Sequence, residues 1–489
     1  MIFIKKMIDL LKISDILHFI HFITVYHTIS VAYKSNLRYS GEEEREKLMD
    51  RMLEQVYSMT NRELEECASH LMLGGGTRGG PVLDHGKGVR VWDSNGKDYI
   101  DCTSQSWALL LGYCNEDINQ IIREHSSMMT HIHQGFDNKM RFYLAREIAK
   151  RAPEGMNRVS FTVGGGPAIE AAMKIAFKNV QPSREFVTLF DSYHGSTLGS
   201  MGASWISTKS RGKFFGGSRF LPLTRTFIRI PNPVTYRNPL GVSTEEYIDI
   251  CLKMTREIFQ RGVSGKPAGV IVEPVQASAG QLILPKRYLQ SLRELCDEFE
   301  TLLIFDEIQT FGRIGETFAA NYFGVKPDII CLGKSFGAGL PLAGIIIADH
   351  LEGFSPDSEE LHTFANPTLS MACAAKQLEL FDNGVLANGR AMGAYLAEGL
   401  KKIQAKFPQL GDIRQVGMHI GVEFADEKLN PMTEEAANIR KAGFKHGLIL
   451  GTGGVRSNVL KIKPPMIINQ AECDEVLQKF ETAVSEVLG

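Results

Sequence analysis

Three apolar segments between residues 268 and 334 constrain the fold of this chain more than any other feature of its sequence. Each has the pattern of a buried strand and ends on ionisable side chains, and they run from Ala268 to Pro274, from Leu302 to Glu307 and from Asp328 to Lys334. The intervals from Glu273 to Asp306 and from Asp306 to Lys334 are 33 and 28 residues, the length of a strand–helix–strand unit. Because helix-like and strand-like runs alternate in this way, the sequence predicts an α/β fold with a mostly parallel sheet covered by helices.

The ends of these segments indicate a shared site. In an open parallel sheet, the carboxyl ends of the strands line one crevice, and ligands bind there. We therefore expect Glu273, Asp306 and Lys334 to meet in that crevice. A lysine whose pKa is lowered by burial attacks carbonyl groups, and a carboxylate beside a pyridine nitrogen keeps it protonated, so that the ring accepts electrons. Lys334 and Asp306 together predict pyridoxal 5'-phosphate as the cofactor.

A phosphate-binding segment is predicted between residues 159 and 174. A strand-like run leads into the loop 164–167, which reads Gly-Gly-Gly-Pro, and a helix-like run follows. Backbone N–H groups at the first turn of a helix bind phosphate, and proline suits that turn because no N–H is needed there. A second loop, after the predicted strand over residues 185–190, contains Tyr193 and His194. We expect Tyr193 to stack on the cofactor ring and His194 to support it.

Composition and charge exclude several classes of protein. The chain has 489 residues, of which 44% are hydrophobic and 22% charged, values close to the averages for globular proteins. Its formal net charge of −2 argues against a nucleic-acid partner. The eight cysteines are scattered without a CxxC pair, which disfavours a zinc ribbon, a dithiol redox site and a disulfide framework. These features predict a reduced, cytoplasmic enzyme without a metal site.

Residues 1–40 differ from the rest of the chain, and we treat them as a leader. The run over residues 16–33 is apolar, but histidines interrupt it, so it falls short of the roughly 18 apolar residues of a membrane span. It also lacks the cleavage site of a signal peptide and the arginines of a mitochondrial transit peptide. A dispensable leader or a mis-assigned start is the favoured interpretation. An additional packed helix and, least favoured, a membrane contact stay open.

Two stretches of the sequence resemble a known family. Residues 304–315 read Ile-Phe-Asp-Glu-Ile-Gln-Thr-Phe-Gly-Arg-Ile-Gly, and residues 327–335 read Pro-Asp-Ile-Ile-Cys-Leu-Gly-Lys-Ser. Both are similar to the signature around the cofactor lysine of the class III pyridoxal-phosphate-dependent aminotransferases of fold type I, and the resemblance extends from about Gly88 to the C-terminus. It implies a large domain over residues 106–385 with a mostly parallel seven-stranded sheet, and a smaller α+β domain built from residues 41–105 and 386–489.

The resemblance also implies roles for individual residues. Lys334 forms the internal aldimine with the cofactor and later shuttles the proton, and Asp306 pairs with the pyridinium nitrogen. The other implied cofactor contacts are Gly165 and Gly166 at the phosphate, Tyr193 over the ring face, Gln309 at the phenolic oxygen, and Glu273 in support of the Asp306 region. Thr363 resembles the threonine that reaches the phosphate of the neighbouring subunit's cofactor, which implies a homodimer or a dimer of dimers with composite active sites.

Three residues are candidates for contact with the substrate. Lys461 stands where many members of the family have an arginine that grips the substrate carboxylate. A lysine binds a carboxylate as a point charge, without the two parallel hydrogen bonds of an arginine. Three interpretations follow: Lys461 binds the substrate carboxylate, Arg456 binds it instead, or the substrate is not a standard α-amino acid. A fourth alternative is that Lys461 is a solvent-exposed charge on a strand without a role in binding. By analogy with the family, Trp107 lies near the substrate pocket and suits a bulky side chain.

Together these features predict a transaminase. It moves an amino group from a small-molecule amino acid or amine to a keto acid, by a ping-pong mechanism through the cofactor on Lys334. An amino-acid racemase and a phospho-lyase use the same apparatus and are the alternatives. The Lys-Ile-Lys-Pro-Pro-Met stretch over residues 461–466 resembles some phospho-lyase relatives. A non-catalytic binding protein is disfavoured, because a binding module needs neither Lys334 nor Asp306.

Overall fold

A computed structural model describes residues 51–72, 81–183, 185–205, 220, 222–224 and 227–489 of the chain. The leader predicted over residues 1–40 lies outside the described residues. The chain divides into two compact units, of which the first ends at Asp84 and the second runs from His85 to Gly489. Each unit is described by itself.

In the first unit, a helix over Asn61–Ser69 begins at a capping box. The Thr60 hydroxyl accepts a hydrogen bond from the Glu63 N–H, and the Glu63 carboxylate accepts one from the Thr60 N–H. None of the helix residues is buried. Local hydrogen bonding, rather than burial, therefore determines where this helix starts.

Strands and helices alternate from Leu83 onward as the sequence predicts. The strands are β1 (Leu83–Lys87), β2 (Arg90–Asp93), β3 (Asp98–Asp101), β4 (Arg158–Thr162), β5 (Phe186–Leu189), β6 (Ile228–Ile230), β7 (Gly269–Val272), β8 (Val275–Gln276), β9 (Leu282–Ile283), β10 (Leu302–Asp306), β11 (Ile329–Leu332), β12 (Ala343–Ile347), β13 (Leu410–Val416), β14 (His419–Phe424), β15 (Leu448–Ile449), β16 (Gly451–Gly453) and β17 (Val459–Ile462). The α-helices of the second unit cover Glu116–Ser126, Lys139–Ala149, Gly165–Asn179, Leu198–Ala203, Thr244–Arg261, Lys286–Glu298, Ala319–Phe323, Thr368–Leu380, Leu386–Gln404, Thr433–Lys445 and Gln470–Leu488, and a left-handed turn covers Ser104–Trp107. A 3-10 turn covers Lys334–Gly337, and a π-helical segment covers Phe381–Val385.

A seven-stranded sheet forms the centre of the second unit, with the order β4-β12-β11-β10-β7-β5-β6. Strands β11, β10, β7, β5 and β6 are paired in parallel, and β12 runs antiparallel to both of its neighbours. The predicted α/β fold with a mostly parallel sheet is thus confirmed. The three strands that carry the ionisable ends, β7, β10 and β11, lie side by side at its centre.

Helices cover both faces of this sheet, which explains why its central strands are apolar without interruption. Every residue of β7, β10 and β11 is buried. Alternate side chains of β10 enter different core clusters: Leu303 and Phe305 pack with the helix Lys286–Glu298, and Ile304 packs with the helix Gly165–Asn179. This is the two-sided alternation that a fully covered strand requires.

Two four-stranded sheets accompany the large one, in the orders β1-β2-β3-β15 and β13-β14-β17-β16. A hairpin joins β2 to β3, with Gly96 at a φ of 78°, and β15 pairs in parallel with β3. Segments from the two ends of the second unit therefore share one sheet, while the domain boundaries given above remain predictions. In the part of the chain that the structure describes, no helix has the length and apolar character that crossing a membrane requires.

Candidate active site

The loops that follow β4, β5, β10 and β11 surround a pocket of about 310 Å³. Because β10 and β11 are adjacent and parallel, the residues at and after their carboxyl ends reach the same edge of the sheet. The predicted residues that line the pocket are Gly165, Gly166, Tyr193, His194, Asp306, Gln309 and Lys334. Segments up to 170 residues apart in the sequence thus contribute to one small cavity.

Asp306, the last residue of β10, is held at both carboxylate oxygens. Its Oδ2 lies 2.7 Å from His194 Nδ1, and its Oδ1 accepts a hydrogen bond from the Ile308 N–H at 3.1 Å. A carboxylate in this contact accepts the bond, so Nδ1 of His194 carries the hydrogen. His194 is buried, and its Nε2 has no hydrogen-bond partner among the described residues. The pair presents a carboxylate of fixed orientation to the pocket.

Lys334 lies two residues after β11 and begins the 3-10 turn. Its backbone is left-handed, with a φ of 48°, a conformation that costs a non-glycine residue about 1 kcal/mol or more. Burial lowers the pKa of the Lys334 ammonium group and outweighs the attraction of Asp306 and Glu273. A lowered pKa makes the neutral, nucleophilic amine more accessible.

Glu273 follows β7 directly and acts on the loop beside the pocket. Its side chain is buried, and its Oε1 accepts a hydrogen bond from the Tyr193 N–H at 2.8 Å. Burial raises the pKa of Glu273 well above its ordinary value, and the charge of Asp306 raises it further. The geometry therefore joins Glu273 to the backbone of Tyr193, and through it to the loop that also carries His194.

The glycine loop has the properties of a phosphate site. The helix Gly165–Asn179 begins at Gly164 without a side-chain cap, so no side chain occupies the N–H groups of its first turn. A Cβ at Gly165 would lie 2.9 Å from Ile308, and one at Gly166 would lie 2.9 Å from the Thr197 side chain. An uncapped helix start with the positive end of its dipole binds anions. Together with the amine and the carboxylate, this loop makes a donor set that fits pyridoxal 5'-phosphate.

Lys461 is buried in β17, with its Nζ 4.4 Å from the centroid of the Trp107 ring. The strand β16 leaves room for it, because a Cβ at Gly453 would lie 3.2 Å from Nζ. Burial lowers the pKa of Lys461 to about 7, and the charge of Lys334 contributes to this. No carboxylate of the described residues forms an ion pair with Lys461. The protein thus buries an amine that is half-protonated near neutral pH.

Trp107 is held in place by an unusual turn. Residues 104–107 all have left-handed backbones, with φ values of 45°, 48°, 56° and 70°, although none is a glycine. Asp101 accepts a hydrogen bond from the Gln105 N–H at 3.1 Å, and Arg313 donates one to the Trp107 carbonyl at 2.7 Å. Such a backbone persists only where its surroundings stabilise it. These contacts fix the ring beside Lys461.

Thr363 and Arg456 are the predicted residues that lie on the surface of the chain. Thr363 belongs to the segment before the helix Thr368–Leu380, and Arg456 to the turn between β16 and β17. Neither lines the pocket of Lys334. Their roles stay predictions, of which that of Thr363 concerns a second subunit.

Sequence reasoning missed two contributions to this region. Ser196 and Thr197 line the pocket next to the glycine loop, and their hydroxyl groups stand in the same segment as Tyr193. Lys463 is fully buried beside Gln309. The sequence does contain a signal for Lys463: residues two apart along a strand point to the same side, and Lys461 is a predicted substrate contact.

Comparison with known proteins identifies the family and the fold of the chain. The sequence profile of the family described as aminotransferase class-III matches residues 78–484. The chain is 31% identical to the adenosylmethionine-8-amino-7-oxononanoate aminotransferase of Geobacter sulfurreducens, over 83% of this chain and 92% of that protein. It is 29% identical to the alanine/serine racemase of Pyrococcus horikoshii, over 83% of this chain and 86% of that protein. Its fold matches the crystal structure of an (S)-enantioselective omega-transaminase from Thermomicrobium roseum with a TM-score of 0.79 and 26% identity, over 88% of this chain and 100% of that chain.

Proposed function

This chain belongs to the class-III aminotransferase family, and on that premise we propose which of its residues carry the reaction. The enzyme is a pyridoxal-phosphate-dependent aminotransferase acting on small molecules. We assign covalent attachment of the cofactor and the transfer of the substrate proton to Lys334, and contact with the pyridine nitrogen to Asp306. The observation that supports this is the meeting of a lysine of lowered pKa, a fixed carboxylate and an uncapped glycine loop at one pocket.

The surrounding residues have supporting tasks in this proposal. The bound cofactor supplies an electron sink for the substrate carbanion. Asp306, oriented by His194, would keep the ring nitrogen protonated, and the neutral amine of Lys334 would take the proton from the substrate α-carbon and pass it to the bound cofactor. Gly165 and Gly166 bind the phosphate through their N–H groups. In addition, Tyr193 covers the ring, Gln309 contacts its phenolic oxygen, and Glu273 holds the loop of Tyr193.

The absorbance of the purified protein with added cofactor tests this proposal. We expect a visible band, because a lysine-bound pyridoxal group absorbs where the protein does not. Lys334→Ala removes the band and the activity, whereas the matched control Lys326→Ala, an exposed lysine eight residues earlier, retains both. A band of the same intensity in Lys334→Ala would show that another residue attaches the cofactor.

We propose that Lys461 receives an anionic group of the substrate. The charge of Lys334 acts on its buried amine and lowers the pKa, the charge of Glu273 raises it by less, and no carboxylate of the described residues forms an ion pair with it. A ligand anion would offset the cost of charging it. Lys461→Met should raise KM for donors with a carboxylate and leave neutral amines unaffected, while Arg456→Ala, at the exposed alternative position, changes neither. Trp107→Ala should alter the preference among bulky donors, since its ring lies against Lys461.

A racemase is the second candidate, because the chain is similar to the alanine/serine racemase named above as well as to aminotransferases. Both reactions begin by removing the proton from the α-carbon, so the proposed Lys334 and Asp306 serve either. Single-turnover reactions with α-deuterated amino acids distinguish them: keto-acid formation with conversion of the cofactor to its amine form supports transamination, and loss of deuterium without keto acid supports racemisation. Release of phosphate from a phosphorylated amine would support the phospho-lyase alternative.

We also propose that the enzyme acts as a homodimer in which Thr363 contacts the cofactor phosphate of the other subunit. Two segments, 128–143 and 360–366, are joined by hydrogen bonds such as that from Asn138 Nδ2 to Asn366 Oδ1 at 2.7 Å. They expose large apolar side chains around Thr363, namely Met128, Phe136, Phe142, Leu361 and Phe364. An exposed apolar face of this kind is typical of a protein interface.

Mixing two inactive variants tests this arrangement. If Thr363 acts between subunits, a hybrid of one Lys334→Ala and one Thr363→Ala subunit has one complete site. That site takes Lys334 from the Thr363→Ala subunit and Thr363 from the Lys334→Ala subunit. Random reassortment should then restore about a quarter of the wild-type activity. If Thr363 acts within its own chain, the mixture shows only the activities of its parents. We further propose a cytoplasmic location, with which eight unpaired cysteines are consistent.

A further inference from the structure

Lys463 is a fully buried lysine to which the proposed reaction assigns no task. It follows β17 directly, and its backbone is fixed on both sides. The Lys463 N–H donates to the Cys102 carbonyl at 2.8 Å, and its carbonyl accepts a hydrogen bond from the Ser104 hydroxyl at 2.7 Å. The base of the side chain is thus anchored, and its Nζ reaches Gln309 Oε1 at 3.3 Å.

Gln309 is held at its backbone as well as at its side chain. Its carbonyl accepts a hydrogen bond from His419 Nε2 at 2.9 Å. Burial lowers the pKa of His419 well below its ordinary value. The Nδ1 of His419 lies 2.8 Å from Gln281 Oε1 and 3.3 Å from Lys463 Nζ, and the centroid of the Trp107 ring lies 3.6 Å from Lys463 Nζ. Lys463 Nζ therefore donates to Gln309 Oε1 and packs on one face of the Trp107 ring.

These contacts decide which end of the Gln309 amide is free. Gln309 lines the pocket together with Lys334 and Asp306. Because Lys463 occupies the amide oxygen, the amide N–H₂ group is the part that remains available to a ligand. Lys463 keeps at least two N–H donors whether or not it is protonated, so this selection does not depend on its charge.

We propose that Lys463 is a positioning residue of this enzyme, which fixes the Gln309 amide so that its N–H₂ group donates to the phenolic oxygen of the bound cofactor. The inference rests on the proposed function, because it needs the cofactor at Lys334. Donation to the phenolic oxygen stabilises negative charge there. The oxygen is then a weaker hydrogen-bond acceptor for the proton of the Lys334 nitrogen. Loss of the donation should therefore raise the pH at which that proton leaves.

The test is a pH titration of the visible absorbance of the holoenzyme, which reports this proton. Lys463→Met keeps the apolar stem and removes the donor, and we expect the midpoint to rise by about one pH unit, a tenfold change in the protonation equilibrium. Gln309→Leu should raise it at least as far, and the double variant no further than Gln309→Leu. The exposed Lys428→Met serves as the matched control and leaves the midpoint unchanged.

Gln309→Leu leaves the charged groups around the titrating nitrogen in place, whereas Lys463→Met removes a basic group that interacts with Lys334. The groups that act on Lys334 are Asp306, Glu273, Arg313, Lys461 and Lys463 itself. A shift caused only by the lost charge of Lys463 would persist when Gln309 is already leucine, and the double variant tests this. A purely structural role for Lys463 would lower stability without moving the midpoint.

Three results would overturn the inference. An unchanged midpoint in Lys463→Met removes the role of Lys463, and additive shifts in the double variant mean that Lys463 does not act through Gln309. An unchanged midpoint in Gln309→Leu rules out the donation itself, and this variant decides the question even where Lys463→Met does not fold. If the wild-type protein has no Lys334-dependent band, the proposed function fails first, which separates that failure from the failure of this inference.

Discussion

Replacing Lys461 by methionine should stabilise the protein while it impairs the use of anionic substrates. Lys461 is only 5% exposed, and its Nζ contacts the Trp107 ring without an acidic partner among the described residues. Methionine has a similar length and loses no hydration of a charge on burial. Stability and function should therefore respond in opposite directions at this position.

The size of the effect follows from the pKa. Burial lowers the pKa of Lys461 from 10.5 to about 7 in the folded protein. Since each tenfold change in protonation is worth about 1.4 kcal/mol, the cost of burying Lys461 at pH 7 has an upper bound on the order of 5 kcal/mol. Water penetration, relaxation and the contact with Trp107 reduce this, and we expect a gain of about 1–3 kcal/mol for Lys461→Met at pH 7, as for other buried charges replaced by apolar groups.

The stabilisation gained by Lys461→Met should decrease as the pH rises above 7. Between pH 7 and about 10.4 the unfolded chain carries a proton on Lys461 that the folded protein lacks, so the contribution of this residue to stability increases with pH. The variant has no such group, and its advantage over the wild type should shrink by up to about 1.4 kcal/mol per pH unit above pH 7. Below pH 7 both states of the wild type are protonated, and the advantage reaches its largest value.

Urea unfolding of both proteins at pH 7 and pH 9, with the same cofactor loading, measures this difference. Steady-state kinetics with a carboxylate-bearing donor and a neutral amine measure the functional side. The matched control Lys428→Met replaces an exposed lysine and should change neither quantity. Destabilisation by Lys461→Met at pH 7, or an advantage that does not change between the two pH values, would refute the reasoning, because Lys461 would then be an ordinary charged lysine.

Three other substitutions have defined outcomes. Gly166→Ala should weaken cofactor binding about tenfold to a hundredfold in an absorbance titration, because the added Cβ would lie 2.9 Å from the Thr197 side chain and displace the loop; unchanged affinity would contradict the phosphate assignment. Asp306→Asn should lower the rate of the half-reaction at least about a hundredfold, since an amide held by His194 does not keep the ring nitrogen protonated; a rate within a few-fold of wild type would remove Asp306 from the mechanism. Asn469→Ala should lower the unfolding free energy by about 1 kcal/mol, because the side chain caps the last helix at 3.0 Å, and should leave the activity at 25 °C unchanged.

Much of the fold could be predicted because its signals are local. The strands β7, β10 and β11 are short apolar runs, and the helices between them have the length of a crossover. A strand–helix–strand crossover makes its two strands parallel, so Asp306 and Lys334, at and after the carboxyl ends of β10 and β11, reach the same edge of the sheet. The glycine loop was visible for the same reason, since it stands between a strand and a helix.

The surroundings of Trp107 could not be predicted in this way. The turn over residues 104–107 contains no glycine, and intrinsic preferences oppose four left-handed residues in a row. It forms because Asp101, Arg313 and the backbone of Lys463 bind it. Lys463 lies 359 positions from Ser104 along the chain, a separation across which no local pattern operates.

The sequence by itself determined the α/β architecture, the family and the residue types of the pocket, because periodicity and short motifs act over a few residues. Only the tertiary structure decided that Lys461 is buried rather than solvated, that Glu273 binds the Tyr193 loop, and that Lys463 holds Gln309. Burial and hydrogen bonding depend on which distant segments pack together. Packing therefore determines the pKa of Lys461, and it determines that the N–H₂ group of Gln309, rather than its oxygen, is available to a ligand.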